Sequence, residues 1–97
     1  LVVPFVQFMN NNTAFAVGDS RLMFFKGTQK PVSQAEYLYD REVRSVYYNE
    51  EYVGLVFLAD NTENRYMLEV YDTNAERVGK YYFDMDYTLF FIIRLTE

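Results

Sequence analysis

The sequence predicts an all-β domain: an antiparallel meander of two four-stranded units plus one further strand, with a small β-sandwich or barrel as the alternative architecture. Three observations predict it. The aromatic fraction is 20%, from nine Phe and ten Tyr without Trp, and flat side chains pack well on pleated faces. The hydrophobic period stays near two along most of the chain. Asn, Asp, Gly and Ser interrupt the apolar runs roughly every 8–12 residues, the rhythm of short strands and turns. At 97 residues the chain has the size of one domain or part of a larger one, and it is too short for two ordinary domains.

Each element follows from these signals. Pro4–Met9 is a first strand, and Asn10, Asn11 and Asn12 make its turn, since Asn tolerates the left-handed backbone that tight turns require. Thr13–Val17 returns, and Gly18-Asp19-Ser20 turns again into Arg21–Lys26, where Leu22 and Phe24 share one face and Met23 and Phe25 the other. Gly27 ends that strand. After Lys30-Pro31, Tyr37 and Tyr39 alternate with Leu38, so Ser33–Tyr39 reads as a strand rather than a helical turn. The second half repeats the grammar: strand Glu42–Tyr48, turn Asn49-Glu50-Glu51, strand Tyr52–Ala59, loop Asp60–Asn64, strand Arg65–Tyr71, turn Asp72–Glu76, strand Val78–Phe83.

The two halves superpose. Phe8-Met9-Asn10 falls on Tyr47-Tyr48-Asn49 at an offset of 39 residues, which also places Ala16-Val17 on Leu55-Val56. Leu22 matches Leu68 and Phe25 matches Tyr71 at an offset of 46, so the second unit carries seven extra residues, placed near Asp60–Asn64. Tyr37, Tyr39 and Asp40 match Tyr81, Phe83 and Asp84 at an offset of 44. The units are residues 3–40 and 42–84, and Tyr87–Leu95 is the first strand of a third. Four short strands every 40–45 residues is the spacing of propeller blades, of which at least four normally close a ring. Two units therefore suggest a cut from something longer, and a first residue of Leu1 rather than Met suggests an excised or processed segment.

The runs Val3-Pro4-Phe5-Val6-Gln7-Phe8, Ala16-Val17-Gly18-Asp19-Ser20 and Glu69-Val70-Tyr71-Asp72 resemble those of a bacterial family of unknown function with propeller-like, WD40-like repeats. The resemblance implies a membrane-anchored protein of Gram-positive bacteria, with one span outside this segment and the propeller-like part outside the cell. It carries over no active site.

Several function classes drop out on composition. Cys and His are both absent, which removes disulfides, Cys/His zinc sites, thiol nucleophiles and histidine bases. The net charge of −5 is wrong for a nucleic-acid surface, which carries a basic stripe. The acidity is confined to residues 42–97, with eleven acids against five bases. No apolar run reaches the 18–20 residues or so of a membrane span. Gly18, Gly27, Gly54 and Gly79 are scattered singly, so no phosphate-cradling loop exists.

Candidate sites are few. Asp84 and Asp86, two residues apart on an extended chain, face the same way and are placed to share a cation or perturb each other, although an acid at such a crossing ordinarily caps a turn. Asp60–Asn64 alternates oxygen ligands like a calcium loop but has Arg65 at the sixth position and Tyr71 at the twelfth, so it reads as a surface loop. All ten tyrosines lie from Tyr37 onward, and the doublets Tyr47-Tyr48 and Tyr81-Tyr82 put one ring on each strand face, which makes Tyr48 and Tyr82 candidates for stacking on a sugar or anchoring a partner. The uncharged run Tyr87–Ile93 would pair with another chain if left on an edge. The expected function is a non-catalytic interaction or scaffold module of a larger extracytoplasmic protein, needing no cofactor or metal. Its expected partner is a protein, or a second copy joined through an edge strand. Carbohydrate or small-ligand binding through the Tyr-rich half is the alternative.

Overall fold

The computed structural model describes residues 4–27 and 33–84. They form β1 (Phe5–Asn10), β2 (Thr13–Val17), β3 (Arg21–Lys26), β4 (Ser33–Leu38), β5 (Ser45–Tyr48), β6 (Val53–Leu58), β7 (Tyr66–Tyr71) and β8 (Arg77–Phe83). Sheet 1 runs β1-β2-β3-β4 and sheet 2 runs β5-β6-β7-β8. Every neighbouring pair is antiparallel. The described residues contain no helix, hence none long and apolar enough to cross a membrane. The further strand expected at residues 87–95 lies outside the described residues.

Period-two alternation decides which face of each strand is buried. In sheet 1, Phe15, Val17, Leu22 and Phe24 are fully buried, while Ala14, Ala16, Met23 and Phe25 point the other way. Their buried face lies on Val53, Leu55, Phe57, Met67 and Tyr71 of sheet 2, making one core between the sheets. Fully burying a side chain of this size contributes about 1.5–3 kcal/mol before entropy is counted. Aromatic pairs cross the gap: Phe15 to Tyr48 with ring centres 5.3 Å apart, Tyr37 to Tyr71 at 4.6 Å, and Tyr39 to Phe57 edge-on at 5.6 Å. A smaller cluster, Val56, Leu68, Val70 and Phe83 ringed by Tyr47, Tyr52 and Tyr66, occupies the far face of sheet 2.

The repeat has a geometric meaning. Val17, Leu22 and Phe24 face the inter-sheet core, whereas their matches Val56, Leu68 and Val70 face away from it. Conversely Ala16, Met23 and Phe25 on the outside of sheet 1 match Leu55, Glu69 and Tyr71 on the inside of sheet 2. Equivalent faces therefore never meet, and sheet 2 follows sheet 1 as the next layer of a stack.

The structure corrects the sequence alignment at one strand. The offset of 39 holds for the first turn, where Asn10 Oδ1 accepts the Asn12 N–H and Asn49 Oδ1 accepts the Glu51 N–H, both at 2.8 Å. It fails for the strand before it. Val6 pairs with Ala16 and Val46 with Leu55, an offset of 40, because Met9 is an extra bulged residue between Phe8 and Asn10. Phe8 therefore corresponds to Tyr48. Four expected strands are also shorter: β4 stops at Leu38, β5 starts at Ser45, β6 spans Val53–Leu58 and β7 starts at Tyr66. The change is largest around the connection from β4 to β5. Residues 39–44 between them carry the chain from sheet to sheet, with the Tyr39 N–H on Ser20 O and the Arg44 N–H on Val56 O.

Two turns need left-handed backbone. Gly27 has φ 94° and supplies it without a Cβ penalty, and its N–H donates to Asn12 O. Ala75 has φ 63° in the β7–β8 turn, where Asp72 Oδ1 accepts the N–H groups of Asn74 and Glu76. Left-handed backbone costs a residue with a Cβ roughly 1–2 kcal/mol, more than glycine loses in unfolded-state entropy. Ala75→Gly is therefore expected to stabilise the fold by about 0.5–1 kcal/mol, read as a higher thermal midpoint.

Candidate functional site

The most unusual chemistry lies inside the core. Along β7, Met67, Glu69 and Tyr71 share the face turned toward sheet 1, so the pleat carries the Glu69 carboxylate inward to 1% exposure. A buried charge survives only if paired. Tyr71 Oη donates to Oε1 at 2.6 Å, while Arg41 and Arg77 bring guanidinium nitrogens to 3.4 and 3.5 Å from Oε2. Arg41 enters from the linker between the sheets. Its guanidinium stands 4.5 Å over the Phe57 ring, with Met67 Sδ at 3.8 Å. Burial, the hydrogen bond to Glu69 and the neighbouring Tyr37 push the Tyr71 hydroxyl far above its ordinary range. Both carboxylate oxygens are engaged, so the cluster holds a charge in place.

Tyr39 does similar work at the other end of the linker. Its hydroxyl donates to Gly18 O at 2.5 Å with Arg21 O at 3.1 Å, pinning the β2–β3 turn. Burial, then the charge of Asp19, push its pKa up to about 12. A cleft of about 320 Å³ opens beside it between this turn and the linker, lined by Asp19, Tyr39, Asp40 and Arg41. A second, of about 270 Å³, lies across the linker against Leu58 and Asp60.

The residues singled out from sequence are scattered. Tyr48 on β5 is 37% exposed and packs on Phe15 of the other sheet. Tyr82 on β8 is 40% exposed, and its hydroxyl donates to Asp60 Oδ1 at 2.7 Å. β5 and β8 are opposite edges of sheet 2, three strand spacings or roughly 14 Å apart, so the two rings do not form one platform. Asp84 is exposed and accepts the Arg65 N–H, capping the β6–β7 hairpin. Asp86 lies outside the described residues, as does the uncharged run 87–93. In the Asp60–Asn64 loop, Asn61 Oδ1 accepts the N–H groups of Glu63 and Asn64, and Asp60 Oδ2 meets Lys80 Nζ at 2.8 Å. Among the described residues, no group of three or more Asp or Glu is placed to hold a metal ion.

The sequence held a signal for Glu69 that the reading above passed over: it is the single charge within Tyr66–Tyr71, and it alternates in step with Met67 and Tyr71. Its partners carried no such signal: Arg41 is 28 residues away in the linker, and Arg77, eight residues on in the same hairpin, reads as an ordinary turn-side charge.

Among the described residues, the outer face of sheet 1 carries three exposed large apolar side chains. Val6 and Phe8 on β1 are 62% and 60% exposed beside Ala16 and Ala14 of β2, while Leu38, 62% exposed, lies on the opposite edge strand β4 beside Arg21.

Two expectations follow from these contacts. Glu69→Gln keeps an acceptor for Tyr71 and loses the charge that holds the arginines, so unfolding should cost about 1–2 kcal/mol less. Arg41→Met should cost more than Arg77→Met, because it also vacates the Phe57 ring; chemical denaturation of the three variants checks the order. Asp60 is held at about 2 rather than 3.8 by hydrogen bonds from Lys80 and then Tyr82. Its contribution to stability is therefore complete above pH 3.8 and is lost as the pH falls through 2. A carboxyl-carbon NMR titration should find a midpoint near 2, which Lys80→Met moves back toward 3.8.

Comparison with known proteins gives one assignment: a model described as a family of unknown function (DUF5711) matches residues 1–94. No curated protein and no solved structure matches.

Proposed function

Given that the chain belongs to this family of unknown function (DUF5711), we propose that it is a non-catalytic interaction or scaffold module of a larger extracytoplasmic, membrane-anchored bacterial protein, its two sheets stacked as blades of a propeller. The observation that carries this reading is the outer face of sheet 1, where three large apolar side chains are about 60% exposed on a regular sheet. Exposed apolar side chains on a sheet face ordinarily mark a contact with further protein, whether a neighbouring blade or a separate partner. The stacking repeat supports the blade arrangement, since the matching face of sheet 2 is the one covered by sheet 1. The buried carboxylate fits a structural role, with its oxygens occupied and two arginines locked onto it. Glycan binding has less support, because Tyr48 and Tyr82 stand on opposite edges of sheet 2.

A photo-crosslinking residue placed at Val6 or Leu38 in living cells tests the proposal. Covalent adducts with protein are expected from these two positions and not from Glu63 on the hairpin loop. Equal adducts from all three, or none, would sink the interaction reading. Protease added outside intact cells should destroy the adducts, and adducts that survive would place the module inside.

A further inference from the structure

We propose that the uncharged run Tyr87–Ile93 packs on the far face of sheet 2 as the first strand of a third layer, sealing that face from within the chain. The proposal goes beyond the interaction-module reading, whose surface is the outer face of sheet 1 at the other end of the stack, and either can fail without the other.

Burial on the two sides of sheet 2 is the observation that carries it. A sheet with one face in a core and one in water alternates buried and exposed residues, whereas a sheet covered on both faces does not. In sheet 1, β2 alternates, with Thr13, Phe15 and Val17 buried and Ala14 and Ala16 half-buried. In sheet 2, Val53–Phe57 on β6 and Met67–Tyr71 on β7 are buried without a break. Sheet 1 accounts for the side that carries Leu55, Phe57, Met67 and Tyr71. On the other side Val56, Leu68 and Val70 are at most 2% exposed and Phe83 is 5% exposed. The described side chains packed with them, Tyr47, Tyr52 and Tyr66, all belong to sheet 2 or its own turns. Three tyrosines around a sheet face leave its middle uncovered, so a further apolar segment belongs there.

The chain supplies one in the right place. Tyr87–Ile93 holds no charge, and neither does the cluster of Val56, Leu68, Val70 and Phe83, so joining the two strands no ion in a core. Phe83 ends β8, and Asp84, Met85 and Asp86 separate it from the run. Three extended residues span about 10 Å, the distance between packed layers. Residues 39–44 make the equivalent passage from β4 to β5, which packs against the core face of sheet 1.

The repeat sets which side chains point inward. Carried forward from Asp40 and Asp84, the offset of 44 places Val46 on Phe90 and Tyr48 on Ile92. Val46 packs into the inter-sheet core and Tyr48 on Phe15 of sheet 1. Phe90 and Ile92 therefore face sheet 2, whose Val56, Leu68 and Val70 match the core face of sheet 1. Leu89 and Phe91 fall on Ser45 and Tyr47 and face away. Arg41 falls on Met85, so this junction is apolar where the first one carries an ion pair.

Methyl NMR of the unaltered chain tests the docking. Cross-relaxation is expected between the Ile92 methyl groups and those of Val56, Leu68 or Val70. In a sample mixed from two differently labelled preparations it should arise within one molecule. Its absence overturns the proposal, and so does contact found only between molecules, which would mean that the run is exchanged with a second copy. Because the chain has no Trp, a single introduced indole reports the facing: iodide should quench the fluorescence of Phe91→Trp several times more strongly than that of Phe90→Trp. Equal quenching, or the reverse order, overturns the proposal as well. Crosslinks from Val6 and Leu38 do not depend on these results, which keeps a failure of this docking distinct from a failure of the interaction-module reading.

Discussion

Burying the Glu69 carboxylate between the two sheets constrains the rest of the molecule more than any other contact. An ionised group at 1% exposure is tolerated only with its oxygens satisfied, and its partners come from three places. Tyr71 lies two residues along β7, Arg77 sits at the start of β8, and Arg41 lies in the linker. The linker position matters most. To reach Oε2, Arg41 must fold inward over Phe57, which fixes how residues 39–44 cross between the sheets. The interdigitated core already resists sliding of the sheets, and the ion pair from the linker to Glu69 adds a second constraint on their alignment.

The same residue accounts for one exchange of Phe for Tyr between the two units. Sheet 2 turns Tyr71 toward sheet 1 and uses its hydroxyl as a donor to Glu69, while the matching position in sheet 1 is Phe25 on a face with no carboxylate to satisfy. Tyr39 likewise uses its hydroxyl to hold Gly18 O. Tyr71 and Tyr39 therefore both use their hydroxyls inside the protein. Tyr82, exposed as it is, also spends its hydroxyl on Asp60.

Stacking by repetition leaves a consequence at the ends. Two sheets related by a two-fold would cover their matching faces together and expose the polar ones. In this chain sheet 2 follows sheet 1 as the next layer, so one apolar face of sheet 1 has no described layer on it, and Val6, Phe8 and Leu38 stand in solvent. The bulge at Met9 turns that side chain inward to 6% exposure, which adds to the core and leaves Phe8 on the outside.

The strands and their turns were legible in the sequence because they are local. Alternation of apolar residues sets the pleat, and Asn10, Asn49 and Asp72 hold their turns with their own side chains. The four-strand repeat was legible for the same reason, apart from the one-residue bulge, which changes no local preference and shows only in the pairing of Phe8 with Ala14 and Asn10 with Thr13. Period two says that a strand has two faces, but not which of them meets another sheet. That choice and the arrival of Arg41 at Glu69 were decided by the stacking of one sheet on the other, while the meeting of Arg77 with Glu69 and the separation of Tyr48 from Tyr82 follow from the strand order of sheet 2, because each depends on which strands become neighbours and which faces meet.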